Sequence, residues 1–169
     1  IIECPRDAMQ GIKDMIPTAT KVQYIESLLR CGFDTIDFGS FVSPKAIPQM
    51  VDTADVLAQL DLSKTDSKLL AIVANLRGAQ DAFKHPEIDY LGYPFSISEN
   101  FQMRNTHKTI AQSVDLMQEI LDISHAKGKK VVVYISMGFG NPYGDEWNVD
   151  IVGEWTEKLS AMGVEILSL

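Results

Sequence analysis

The stretch "PRDAMQ" at residues 5–10 sets Arg6 beside Asp7, with Gln10 one turn on, directly after the apolar run "IIEC". Opposite charges at the tip of a buried segment suit a site that handles anions and protons. The same arrangement recurs along the chain. The run "DTIDFGSFVSPK" carries Asp37, Ser40 and Lys45, "LLAIVAN" ends on Asn75, and "VVVYISMGFGNPYG" carries Tyr134 and Ser136 ahead of a glycine-rich turn. The last apolar run, "VEILSL", carries Ser168. Asp37 stands out because it lies inside an apolar segment, where an ionised carboxylate needs a cationic partner. Arg6 is the candidate partner. His85, His107 and His125 show no metal-ligand spacing and read as surface residues.

The elements that must position these groups alternate in type. Strands are expected at 1–4, 34–38, 69–75, 88–93, 130–137 and 164–169, rich in Val, Ile and Tyr and lacking strict alternation, as in strands covered on both faces. Helices are expected between them. One follows Thr20 as a cap, with Gln23 at capping-box spacing and a Val22, Ile25 and Leu29 stripe. Another runs through "IPQMVDTADVLAQL", and a third through "LRGAQDAFKH" to Pro86. The fourth carries Ile110, Val114, Met117 and Leu121 on one face, and the fifth starts at Asn148 with Val152, Trp155, Leu159 and Met162 inward. The segment "PFSISENFQMRNTHK" reads as a long polar loop. Six strands with five intervening helices imply a parallel α/β fold. An open doubly wound sheet and a (β/α)8 barrel remain in competition, and no glycine-rich nucleotide fingerprint supports the former. In both, functional groups collect at the C-terminal ends of strands.

Composition narrows the function. The chain has 169 residues and a formal net charge of −8 with no basic stripe, which argues against nucleic-acid binding. No apolar run is long enough to span a bilayer. Cys4 and Cys31 are the only cysteines and form no CxxC, so a reducing compartment fits better than a disulfide scaffold. The chain opens on Ile and stops on "VEILSL", and both ends look cut.

"PRDAMQ" followed by "SFVSPKAIPQM", with "NLRG" at 75–78, "SEN" at 98–100, "RN" at 104–105 and the "YIS…G…PY" pattern at 134–143, resembles the hydroxymethylglutaryl-CoA lyase family along nearly the whole chain. The resemblance implies a (β/α)8 TIM barrel, of which residues 1–169 would be a single partial catalytic domain with about six strands. It implies a carbon–carbon lyase that cleaves 3-hydroxy-3-methylglutaryl-CoA, or a similar 3-hydroxyacyl-CoA, to acetyl-CoA and acetoacetate, as in leucine catabolism and ketone-body formation. Two other readings stay open: a Claisen-type synthase joining a 2-oxoacid to acetyl-CoA, and a non-catalytic homologue.

The resemblance also implies roles. Arg6 would hold the enolate formed on bond cleavage, and Asp37 would take the place of a catalytic-site Glu beside it. Asp7 would be a ligand to a divalent cation, Mg or Mn. Arg6 and Asp7 would then serve separately and not pair with each other. Gln10, Ser40, Asn75, Arg104, Asn105, Tyr134, Ser136 and Ser168 would bind substrate, with Gln10 and Ser40 lining the acyl pocket. Further metal ligands, an HxH pair and an Asn, and a catalytic Cys are expected beyond Leu169. The implied partner is an acyl-CoA, in a cytoplasmic homodimer. The chain departs from the family pattern at Asp37, one methylene shorter than Glu, and at Cys4 and Ala8, where glycines are usual. It departs again at Ile2, where an acid is usual, the acid here being Glu3, and at Met137 and Asn141, where Cys is common.

Overall fold

The computed structural model describes residues 1–169. Six strands form one sheet in the order β1 to β6: Ile2–Glu3, Thr35–Ser40, Lys68–Ile72, Ile88–Ser96, Lys130–Ser136 and Ile166–Ser168. Every neighbouring pair is parallel. Sequential order with helical crossovers is the pattern of a barrel wall, not of a doubly wound sheet, whose order reverses at a switch point. Seven α-helices connect the strands: α1 Pro5–Gln10, α2 Thr18–Leu29, α3 Thr53–Leu57, α4 Leu76–Ala82, α5 Glu99–Thr106, α6 Ile110–Ala126 and α7 Val149–Ala161.

The strands are covered on both faces, which explains their unbroken apolar runs. Leu69, Ala71, Leu91, Tyr93, Val131 and Val133 point outward into the main core against α2, α6 and α7, where Ile25, Met117, Ile120, Leu121 and Leu159 are buried. Leu70, Ile72 and Val132 form a second, inner cluster with Tyr90, Tyr134 and Ile166. The inner face is tight. A Cβ on Gly92 would meet the ends of the Ile72 and Leu70 side chains and, at 3.1 Å, the Tyr134 ring.

Several boundaries differ from the sequence expectation, for identifiable reasons. Thr20 does not cap α2. The helix begins at Thr18, whose hydroxyl is held 2.8 Å from Asp52 Oδ2, and Pro17 stands at the cap position. The expected helix over residues 47–60 is broken into a 3₁₀ turn at Pro48–Met50 and the short α3. There Thr53 Oγ1 donates to Met50 O and accepts from Ser40 N, bonding across the segment to β2. The expected loop at 94–108 does not exist as such. Pro94 continues β4, and Ser98 then caps α5 by accepting from Phe101 N at 3.1 Å. The residues after "IIEC" form α1 at once. The cap of α7 is Asn148, as expected, and α6 starts on a capping box of Thr109 with Gln112.

A buried clamp fixes the segment between α1 and α2. Lys21, 2 % exposed, donates to Asp52 Oδ1 at 2.6 Å and to the Gln49 carbonyl. The Gln49 side chain donates to Ile12 O and Asp14 O and accepts from Ile16 N, all within 3.0 Å. Residues 12–16 are thereby tied to the turn beyond β2. Removing one member of a buried pair strands the other charge. Asp52→Ala is expected to lower unfolding free energy by about 3–5 kcal/mol in urea titrations, and Lys21→Met/Asp52→Leu by much less. Equal losses in the two variants would contradict the clamp.

Candidate active site

Asp37 lies at the middle of β2 with no solvent exposure, and Arg6 in α1 reaches it from the neighbouring strand end. Arg6 Nε stands 3.2 Å from both carboxylate oxygens of Asp37, and Nη2 donates to Oδ2 at 2.6 Å. Asp37, though shorter than Glu, therefore meets the guanidinium with both oxygens. The remaining edge of Arg6 faces outward. Its Nη1 donates to Asp7 Oδ1 and to Gln10 Oε1, both at 3.0 Å, and Gln10 Nε2 donates to Asp7 Oδ1 at 2.7 Å. The expectation that Arg6 and Asp7 do not pair is thus corrected. Adjacent positions at the start of α1 bring both side chains to one edge, and the exposed Asp7 caps the guanidinium from the solvent side.

Burial sets the charge states. It raises the Asp37 pKa above the ordinary carboxylate value, and the Arg6 hydrogen bonds and charge only partly offset it. Burial alone would lower the Arg6 pKa, but its bonds to Asp37 and the charges of Asp37 and Asp7 raise it, so the guanidinium is a fixed cation. The Cys4 thiol is raised by burial and by the Asp37 charge, which keeps it a thiol. Tyr134 is pushed well above the usual phenol range, chiefly by burial and next by Asp37. Its hydroxyl is the one buried side-chain oxygen or nitrogen without a hydrogen-bond partner.

Arg6 and Tyr134 open onto a cavity of about 630 Å³, behind which Asp37 is buried. The cavity gathers Arg6, Asp7, Gln10, Asn75, Arg104, Asn105, Tyr134 and Ser136 from the ends of β1, β3, β4 and β5. Two of the anticipated residues lie elsewhere. Ser40 is buried, donates its hydroxyl to Ile72 O at 3.2 Å, accepts from Val42 N, and borders a separate cleft of about 340 Å³. Ser168, paired with Tyr134 in the sheet, lines neither space. Lys45 is exposed and also outside the cavity. Asn75 borders both spaces and caps α4 by accepting from Gly78 N. Ala8 is exposed and is not among the residues lining the cavity. Of the histidines, His107 and His125 are exposed, but His85 is half-buried with its ring 5.5 Å from that of Phe41.

Phe101, His107 and Lys108 also line the cavity wall, beyond the Arg104 and Asn105 expected from the same segment. Ser98 followed by an acidic Glu99 was the available signal for a helix start. Asp7 is a hard oxygen donor, but no group of three or more His, Cys, Asp or Glu side chains could hold a metal ion. The residues of this chain do not make a divalent-cation site among themselves.

Comparison with known proteins follows the same line. No family model matches the chain. It is 34% identical over 167 residues to the mitochondrial hydroxymethylglutaryl-CoA lyase of Bos taurus, covering 98% of this chain and 50% of that protein. It superposes on the Bacillus subtilis HMG-CoA lyase crystal structure with TM-score 0.91 and 30% identity, covering 98% of this chain and 56% of the other. An HMG-CoA lyase from Acinetobacter baumannii, solved with coenzyme A and 3-methylmalate, gives TM-score 0.90 and 29% identity, with 98% and 54% covered. The chain spans about half the length of the curated relatives it matches.

The unpartnered Tyr134 hydroxyl yields a prediction. A buried polar group without a partner costs about 1–3 kcal/mol. Tyr134→Phe should leave the ligand-free protein equally stable or more stable by denaturant titration, and weaken binding of any ligand that supplies the missing partner. A clear loss of stability without ligand would show that the hydroxyl is already satisfied.

Proposed function

We infer that this chain, which belongs to the hydroxymethylglutaryl-CoA lyase family, carries the arginine-centred part of an active site that cleaves 3-hydroxy-3-methylglutaryl-CoA or a similar 3-hydroxyacyl-CoA. The observation that carries the reading is the buried Arg6 guanidinium, clamped along one edge by Asp37 and turning its Nη1 edge to a cavity of about 630 Å³. The products would be acetyl-CoA and acetoacetate.

In that reaction the tertiary hydroxyl of the substrate loses its proton and its oxygen becomes the ketone of the oxoacid. The bond to the thioester-bearing carbon breaks, and its electron pair becomes a thioester enolate that is protonated to acetyl-CoA. Negative charge develops on the thioester oxygen. Arg6 is suited to meet it because Asp37 occupies Nε and Nη2, leaving Nη1 to exchange Asp7 and Gln10 for the oxyanion. Asp37 fixes the guanidinium plane before substrate arrives, so little reorganisation is left for the reaction itself. Gln10, Asn75, Tyr134 and Ser136 supply polar groups along the cavity, and Tyr134 offers a neutral hydroxyl donor. Arg104 and Asn105 line it as exposed residues and would meet the anionic CoA moiety. Ser40 and Ser168 take no part in this reading, since neither borders the cavity.

A divalent cation, Mg or Mn, held by Asp7 with ligands from beyond this chain, would supply Lewis-acid polarisation of substrate oxygens. Residues 1–169 are read as one partial barrel domain, and the whole protein as a cytoplasmic homodimer. No helix is long and apolar enough to cross a membrane, and both cysteines are free.

The full-length protein is expected to release acetoacetate from 3-hydroxy-3-methylglutaryl-CoA. Arg6→Lys should lower kcat by about 100-fold or more with the circular dichroism unchanged, as loss of a positioned oxyanion donor does. No acetoacetate from the wild type would sink the lyase reading, and full activity in Arg6→Lys would remove Arg6 from the chemistry.

A further inference from the structure

The loop between β5 and α7 begins on a strained residue. Met137 directly follows Ser136 of the cavity wall and has φ of 68°, in the left-handed region. A non-glycine residue stays there only where its surroundings hold the chain. The holding contacts lie farther along the loop. Asp145 Oδ2 accepts from the Ser98 hydroxyl and, at 3.1 Å, from the Asn100 backbone N–H, while Oδ1 accepts from Asn100 Nδ2 at 2.6 Å. Ser98 is the cap of α5 and Asn100 lies in its first turn, so a carboxylate from another element is fastened to the positive end of this helix. Asn141 stiffens the span before it, accepting at Oδ1 from the N–H groups of Tyr143 and Asp145, both at 3.0 Å, and donating from Nδ2 to Asp145 O at 2.8 Å.

Tyr143 sits inside this tied span. The Arg104 guanidinium lies over its ring, 5.0 Å from the centroid, and the Phe101 ring is 6.5 Å away. Arg104 forms no salt bridge, although the chain is acidic overall. It is on the cavity rim, whereas Asp145 is not among the cavity residues. The acid thus touches neither the cavity nor Arg104, yet it anchors the aromatic platform on which Arg104 rests.

We propose that Asp145 is a positioning residue: by latching the β5–α7 loop to α5 it holds Tyr143 against Arg104 and fixes that cation at the cavity rim for the anionic end of a CoA thioester. The inference rests on the lyase reading for the identity of the ligand, and on the hydrogen bonds of Asp145 for the latch itself.

The test uses the full-length protein with Asp145→Ala and Asp145→Asn, and three readouts: amide hydrogen exchange at Asn100, the Kd of coenzyme A by calorimetry, and steady-state kinetics. Losing charge-assisted hydrogen bonds of this kind should speed exchange at Asn100 and weaken coenzyme A binding in Asp145→Ala, each by about tenfold. The thioester KM should rise in step while kcat stays within about twofold, because the reacting atoms are elsewhere. Asp145→Asn retains an oxygen acceptor and should recover most of the binding. Unchanged exchange at Asn100, or unchanged coenzyme A affinity in Asp145→Ala, would overturn the proposal, as would a fall in kcat at constant KM. A wild type that binds coenzyme A but releases no acetoacetate would refute the lyase reading and leave the latch standing. A wild type that does not bind coenzyme A would refute both.

Discussion

The contact between Arg6 and Asp37 is the constraint around which the site is arranged. Both groups are withdrawn from water, and withdrawal of two charges is costly unless geometry and further hydrogen bonds compensate. Here Asp37 is fully buried and receives three hydrogen bonds from one guanidinium. The pair therefore costs stability in exchange for orientation: it fixes the plane of Arg6 and determines which edge faces the cavity. The raised Asp37 pKa expresses the same balance, with burial outweighing a well-placed cation.

That arrangement depends on the barrel wall. Parallel strands in sequential order bring their C-terminal ends to one side, so β1, β3, β4 and β5 all deliver to the same space. The inner face has little slack, as the closeness of Gly92 to its neighbours indicates. Outside the wall, separate ties hold the two segments that carry cations to the cavity. Gln49, Lys21 and Asp52 fasten the chain after α1, and Asp145 fastens the loop beside α5. Neither tie touches the cavity, but each restricts an element that bears an arginine.

The sequence was most informative where one residue type admits one role. Asp37 inside an apolar strand required a cation, and Arg6 is the cation it meets. The parallel sheet followed from strand–helix alternation, its barrel order only from the family resemblance, and the helix start at Asn148 was legible because its capping side chain is a local signal. Local signals failed where a distant partner decided the outcome. Thr18 opens α2 while bonded to Asp52, and Thr53 bonds back to β2 across a broken helix. Ser40 shares its type with true cavity residues, but its hydroxyl is engaged by Ile72 O and Val42 N and it borders the separate cleft. The pairing of Arg6 with Asp7 was missed because separate roles were assigned to two groups that share one edge. Asp145 carried no motif at all, since its meaning lies in contacts to residues 98 and 100.

The central claim, that Arg6 works as a guanidinium oriented by Asp37, is tested most directly by a double-mutant cycle on kcat in the full-length protein. Arg6→Lys, Asp37→Asn and the double variant would be assayed for acetoacetate release under saturating thioester. If Asp37 acts through Arg6, the two losses are strongly coupled and the double variant is no slower than Arg6→Lys alone. Fully additive losses, with the double variant slower by the product of the single effects, would contradict the account.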